Sequence, residues 1–264
     1  MDFIQALLLG LVQGLTEFLP VSSSGHIEMG KEILGITINE GDSKLFTIVV
    51  HGATALSTIV VFRTDLRHIS RDLLTCRWTD STNLVLFIIL SMIPAVAVGL
   101  FLEDKIDSLF EGNMLLVGSM LLVTAFLLFT TTLIKPKRGH LNFWKAFVIG
   151  VAQAIAILPG ISRSGSTIAT GMLLGVNRNR MARFSFLMVL PLIFGVMAKD
   201  LMDYNPNADS DVGVMPLIVG FIAAFISGLF ACRWMIKLVR KSKLSYFAIY
   251  CAVIGAIAIV YSFI

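Results

Sequence analysis

The stretch Gln13-Gly14-Leu15-Thr16-Glu17-Phe18-Leu19-Pro20-Val21-Ser22-Ser23-Ser24-Gly25-His26 breaks an apolar run that extends from 3 to 35. That run is too long for one membrane span, which takes about 20 apolar residues, and too interrupted for two. A second run, 143–176, is broken in the same way by Pro159-Gly160-Ile161-Ser162-Arg163-Ser164-Gly165-Ser166-Thr167. Polar, irregular backbone is tolerated at membrane depth only where protein shields it or where it lines a wet cavity. Both runs therefore read as re-entrant helix–loop–helix hairpins.

Around them lie six uninterrupted apolar segments, 44–63, 84–102, 113–134, 182–200, 214–236 and 244–263, each long enough to cross a bilayer. The whole chain is 56% hydrophobic and 14% charged, against roughly 25% charged in a soluble domain. One core cannot absorb that deficit, so most of the surface must face lipid. The expected fold is an all-α polytopic membrane protein of six transmembrane helices and two re-entrant hairpins, a single membrane domain over 1–264. The basic residues sit in short loops between apolar runs, which excludes nucleic acid as a partner. Cys76, Cys232 and Cys251 form no CxxC pair and read as free thiols. Gly10, Gln13, Glu17 and Pro20 interrupt the first run, so it does not read as a cleaved signal peptide.

Loop charges test this layout. Arg63, Arg67, Arg71 and Arg77 follow the first span, and Glu103, Asp104, Asp107 and Glu111 follow the second. Lys135, Lys137 and Arg138 come next, then Arg178, Arg180 and Arg183 beyond the second broken run. Asp200, Asp203, Asp209 and Asp211 precede the fifth span, and Lys237, Arg240, Lys241 and Lys243 precede the last. Basic and acidic loops alternate if the six spans cross and each hairpin returns to its own side. Basic loops mark the cytoplasm, so both termini are expected outside.

The two halves also match. A shift of 140 pairs Gly10 with Gly150, Gln13 with Gln153, Ser22 with Ser162, Ser24 with Ser164, Gly25 with Gly165, Leu34 with Leu174 and Gly35 with Gly175. This defines a repeat of about 1–137 and another of about 138–264. Each repeat holds one hairpin and three spans, and three crossings invert the second relative to the first. The hairpin tips are then expected to meet near the midplane. Inverted repeats with broken helices are common in secondary transporters, which makes a transporter or flippase of an anionic isoprenoid lipid the alternative to an enzyme.

The polar residues of the two breaks favour the enzyme. Gln13 and Glu17 share a helix face at a spacing of four, and an ionisable residue inside the membrane is a functional candidate unless it merely pairs for packing. Pro20 ends that helix. Ser22, Ser23, Ser24 and Gly25 then form a polar turn whose backbone amides suit an anion, and His26 can serve as base, acid or nucleophile. Arg163 stands at the repeat position of Ser23. Its planar fork matches phosphate, although Glu17 could be its partner in a structural ion pair. An acid, hydroxyls, a histidine and an arginine in one low-dielectric pocket suit phosphoryl transfer. His51, inside the first long span, reads as structural, with a place on the cavity wall as the alternative.

These two motifs resemble the undecaprenyl-pyrophosphate phosphatase family, the bacitracin-resistance proteins of bacteria, and the likeness extends over essentially the whole chain. The resemblance implies removal of one phosphate from an isoprenyl pyrophosphate in the bacterial inner membrane, yielding the monophosphate carrier lipid of peptidoglycan synthesis. It also implies a divalent cation, Mg²⁺ or Ca²⁺, and a site opening to the periplasm; a homodimer is compatible with it. Carried over residue by residue, it makes Glu17, Ser23, His26 and Arg163 catalytic, with Glu17 also the metal ligand. Gln13, Ser22, Ser24, Gly25, Gly160, Ser162, Ser164 and Thr167 then bind substrate. The family's acidic motif is Glu/Gln-x-x-x-Glu; here Gln13 is a neutral amide, which leaves Glu17 as the motif's one carboxylate. The expected mechanism has Glu17 orienting His26, which deprotonates Ser23 or a water. Direct attack by His26 stays open.

Overall fold

Proline and glycine at the two breaks divide each broken run into a pair of helices whose far ends are tied together. The computed structural model describes residues 1–36, 39–76, 78–102, 113–134, 139–203, 212–240 and 244–263. The first run forms α1 (Phe3–Phe18) and α2 (Ser23–Ile33), and the second forms α7 (Phe143–Ile155) and α8 (Arg163–Leu173). At the base of the first pair, the Gln5 side chain donates to the Leu34 carbonyl at 3.3 Å. At the base of the second, Gly139 N–H donates to Gly175 O at 3.1 Å and Asn177 N–H to Gly139 O at 3.0 Å. Each pair thus starts and ends at one place and is a hairpin. Eleven residues of helix span about 16 Å, so α2 and α8 are each about half as long as a hydrocarbon core is thick.

The remaining described helices are α3 (Glu40–Val61), α4 (Arg63–Leu74), α5 (Asp80–Phe101), α6 (Met114–Thr130), α9 (Arg178–Asp203), α10 (Val214–Arg240) and α11 (Ser245–Tyr261). All described regular structure is α-helical apart from an isolated bridge between Gly139 and Val176. Among the described residues, four helices, within α3, α5, α9 and α10, are long and apolar enough to cross a membrane, while α1, α6, α7 and α11 are shorter apolar helices. Large apolar side chains cover the outside: Phe126 and Phe230 are each 70% exposed and Ile93 55%. Such a belt around a chain of this composition marks a lipid-facing surface. The protein is an all-α polytopic membrane protein. Of the loop charges, Arg77, Glu103, Asp104, Asp107, Glu111, Lys135, Lys137, Arg138, Asp209, Asp211, Lys241 and Lys243 lie outside the described residues.

The halves exchange partners. Helix α1 packs mainly on α10 of the other half, and α7 packs on α5 in the corresponding way, while α6 and α11 pack on each other. Between membrane helices there is little hydrophobic drive, so close approach through small residues supplies the packing. On α1 those residues are Gly10 and Gly14. A Cβ at Gly10 would stand 2.5 Å from the Gly220 carbonyl, and one at Gly14 would collide with Ser227 and Ala224. This contact brings the end of α1, and with it Glu17, into the middle of the molecule.

Candidate active site

Both hairpin turns are built alike. Ser22 caps α2, its Oγ accepting from Gly25 N–H at 3.3 Å, and Ser162 caps α8, its Oγ accepting from Gly165 N–H at 3.1 Å. In each turn the capping hydroxyl also meets a second serine two residues on, Ser24 at 3.4 Å and Ser164 at 3.3 Å. Ser22 takes a positive φ of 71°, a backbone conformation unfavourable for a residue with a Cβ and typical of sites where geometry outranks local stability. Gly160 has φ 94°, and its Cα lies 3.2 Å from where a Cβ on Gly25 would be. The turns therefore press against each other directly. Ser164 Oγ donates across the junction to Leu19 O at 3.2 Å. From α6, Thr124 Oγ1 donates to Gly160 O at 3.1 Å and accepts from Ser162 N–H at 3.0 Å, holding the second turn in place.

Between the turns lies a cavity of about 60 Å³ lined by Thr16, Glu17, the three serines Ser22 to Ser24, and Ser162, Arg163 and Ser164 opposite. Glu17 is its centre, 8% exposed. Its Oε1 accepts from Arg163 Nη2 at 2.6 Å. Its Oε2 accepts from Ser23 Oγ at 2.8 Å and from Gln13 Nε2 at 3.1 Å. Arg163 Nη1 reaches Ser185 O on α9 at 3.4 Å. Helices α2 and α8 point their N-termini into the cavity, and first-turn amides have no carbonyl partner inside their own helix. A buried carboxylate, a guanidinium, six hydroxyls and two helix N-termini are groups suited to a multiply charged anion, with one serine bonded to the carboxylate.

Most of the residues expected from sequence gather here. Glu17, Ser22, Ser23, Ser24, Ser162, Arg163 and Ser164 line the cavity; Gln13 orients Glu17, and Gly25 and Gly160 form the turn contact. Thr167 stands apart: its Oγ1 bonds Arg163 O at 3.0 Å and meets Ser185 Oγ at 2.7 Å, tying α8 to α9 behind the cavity. His26 is the larger departure. Its Nδ1 donates to Ser22 O at 2.8 Å and its Nε2 lies 2.8 Å from Tyr250 Oη, with the two rings stacked at 5.6 Å. The expected contact of His26 with Glu17 is replaced by one between Glu17 and Ser23. The cause is local: the carbonyl four residues back captures the imidazole, and α11 supplies Tyr250 for the other nitrogen. Nothing in the sequence singles out Tyr250, one of three tyrosines in an otherwise apolar helix.

His51, structural by its sequence position, turns its Nε2 to within 3.9 Å of Glu17 Oε2. The signal in the sequence is an ionisable side chain inside a span; what hides its place is the packing of α3 beside α1. As a metal site the cavity is poorly furnished. Glu17, the expected ligand, faces a guanidinium at 2.6 Å, and its second oxygen is taken by Ser23 and Gln13. No group of three His, Cys, Asp or Glu side chains able to hold a metal occurs among the described residues. These side chains do not fit a cation held by the protein alone.

Comparison with known proteins agrees with this geometry. The family described as bacitracin resistance protein BacA matches residues 6–257. An undecaprenyl-diphosphatase of Christiangramia forsetii is 56% identical over 264 residues, covering 100% of this chain and 99% of that protein. One from Bacteroides fragilis is 50% identical, covering 99% of each, and undecaprenyl-diphosphatase 2 of Bacillus thuringiensis is 34% identical, covering 98% of this chain and 97% of its own. With a match across nearly all its length, and with both motifs meeting at one cavity, the chain belongs to the BacA family of bacitracin resistance proteins.

Proposed function

We propose that this chain is an integral-membrane phosphatase that hydrolyses undecaprenyl pyrophosphate to undecaprenyl phosphate and inorganic phosphate. The observation that carries this reading is the bonded series Ser23–Glu17–Arg163: a hydroxyl on a carboxylate that is itself charge-balanced by a guanidinium. A carrier needs to bind an anion but has no use for a serine poised on a base, so the transporter reading finds no support in the site. Membership of the family and the undecaprenyl-diphosphatase relatives add to the enzymatic reading.

The mechanism follows from the cavity's own groups. Arg163 and the amides at the N-termini of α2 and α8 take the pyrophosphate oxygens, supplying charge stabilisation where phosphoryl transfer needs it. Arg163 turns from Glu17 towards the phosphate as the substrate enters. Ser23 Oγ then attacks the terminal phosphorus while its proton passes to Glu17 Oε2. The bond to the bridging oxygen breaks, the lipid monophosphate leaves, and water hydrolyses the phosphoserine, with Oγ regaining a proton. Glu17 is thus the base for Ser23, and His26 holds the turn through Ser22 O and anchors it to α11 through Tyr250. A divalent cation, Mg²⁺ or Ca²⁺, would neutralise charge on the pyrophosphate and would be carried by the substrate rather than by these side chains.

In the membrane, six helices cross and the hairpins α1–α2 and α7–α8 return to the side from which they came, in an inverted repeat with both termini outside. The cavity opens to the periplasm. The hydrogen bonds that tie each hairpin's ends together support the re-entrant reading, and the alternating loop charges support the orientation. Phosphate release by the purified protein from undecaprenyl pyrophosphate in detergent, with Mg²⁺ present, tests the proposal. Wild type is expected to release phosphate and Ser23→Ala to release almost none. No release by the wild type would overturn the function, and near-normal turnover by Ser23→Ala would overturn the serine route.

A further inference from the structure

Beside Glu17 stands an ionisable group that neither motif supplies. His51, on α3, is 26% exposed at its side chain and turns Nε2 towards Glu17 Oε2 at 3.9 Å. Its Nδ1 lies 2.9 Å from the Thr47 carbonyl. A carbonyl oxygen only accepts, so Nδ1 donates to it, and whenever the ring is neutral Nε2 presents its lone pair to Glu17. A backbone carbonyl that sets the tautomer of a histidine is the arrangement by which proteins aim the second nitrogen at a task.

Glu17 needs such a neighbour. It receives the proton of Ser23 through Oε2, the oxygen that faces His51. Gln13, on the same face of α1, already donates to that oxygen at 3.1 Å and, as an amide, has no lone pair basic enough to take a proton. Arg163 on the other oxygen is a donor only. The portion of α9 between Arg183 and Lys199 and the portion of α10 between Val214 and Phe230 carry no ionisable side chain, and these are the helices packed along α3. His51 is therefore the group placed to relieve Glu17 of the proton. The separation is 3.9 Å, and catalytic contacts commonly tighten when substrate binds.

We propose that His51 is a positioning and proton-relay residue of this site, taking up at Nε2 the proton that Glu17 receives from Ser23. The balance is simple. Ser23 Oγ–H breaks as Oγ–P forms, the proton resides on Glu17 Oε2 and passes to His51 Nε2, and the bridging P–O bond breaks to release the lipid monophosphate. In the second half, water adds to the phosphoserine phosphorus and the P–Oγ bond breaks. His51 gives its proton back through Glu17 to Oγ, and the proton lost by the water leaves with the inorganic phosphate. Partial exposure of the ring and its placement beside Glu17 on the side away from Arg163 suit that role. The inference rests on Ser23 as nucleophile and Glu17 as its base.

The test uses the full-length protein in detergent with undecaprenyl pyrophosphate, comparing wild type, His51→Gln, His51→Ala and Ser23→Ala, each checked for an unchanged elution profile. His51→Gln is expected to lower kcat by about 10²-fold, in the range of general acid–base contributions, with KM within about threefold. His51→Ala leaves a space for free imidazole, and added imidazole is expected to restore its kcat by about tenfold or more, which a purely structural role would not do. Turnover by His51→Gln within about threefold of wild type, a loss confined to KM, or failure of imidazole to restore His51→Ala would each overturn the relay. If Ser23→Ala is inactive while His51→Gln is normal, the relay alone falls; if Ser23→Ala turns over normally, the nucleophile and the relay fall together.

Discussion

Arg163 Nη2 lies 2.6 Å from Glu17 Oε1, a contact between two residues 146 positions apart and on different hairpins. Both side chains are nearly buried, at 13% and 7% exposure. A pair formed in such a place costs desolvation on both sides, and its geometry must repay it. Here the same pair joins the two hairpin tips, and in the proposed mechanism it keeps the guanidinium beside the carboxylate until an anion competes for it.

Removing one partner should therefore act on stability as well as on activity. Arg163→Ala leaves Glu17 buried without its guanidinium partner and is expected to destabilise the protein by about 3–5 kcal/mol. The double change Arg163→Ala with Glu17→Gln should recover much of that loss but none of the activity. Thermal unfolding in detergent, alongside phosphate release, checks both statements.

Arg163→Lys keeps the charge but loses the planar fork that can hold a phosphate and still face Ser185 O. A point charge is a poor replacement at a bidentate site. The expected result is a fall in kcat/KM of about 10²-fold with near-normal folding, in line with the removal of a preorganised donor. Steady-state kinetics on undecaprenyl pyrophosphate read it directly; wild-type kinetics would mean the fork is not used.

The His26–Tyr250 contact gives a graded pair of substitutions. Tyr250→Phe removes the 2.8 Å hydrogen bond to Nε2 but keeps the stacked rings, and is expected to cost only a few-fold in turnover, the scale of one neutral hydrogen bond of about 1 kcal/mol. His26→Ala also removes the imidazole hydrogen bond to Ser22 O and the ring stacking, and should cost distinctly more. Equal effects of the two would show that the hydroxyl, not the turn, is what matters.

Gly14 tests the packing that delivers Glu17. A side chain there would run into Ser227 and the backbone of α10. Gly14→Leu is expected to destabilise by about 3 kcal/mol or more, because overpacking against backbone has little room to relax. At Gly99 nothing lies within 4 Å of where a Cβ would stand, so this position should accept alanine with little change in melting temperature.

Much of this molecule is written locally in its sequence. Apolar runs of span length, and two runs broken by Pro, Gly and Ser, foretell the described helices other than α4 to within a few residues: 84–102 against α5, 214–236 against α10. The 140-residue repeat places Ser23 and Arg163 at matching positions, and both begin the second helix of their hairpin. These features depend on hydrophobicity and backbone freedom of neighbouring residues, which a sequence carries without reference to distant parts of the chain. Side-chain pairing is different. Whether His26 meets Glu17 depends on which carbonyl captures its ring and on a tyrosine 224 positions away. Whether His51 borders the site depends on how α3 lies beside α1. The sequence by itself determined a helical membrane protein with two polar hairpin tips and the identities of most cavity residues. Only the tertiary structure decided that Ser23 bonds Glu17, that Arg163 balances it and that His51 stands behind it, because hydrogen bonds form over about 3 Å and are set by helix packing rather than by spacing along the chain.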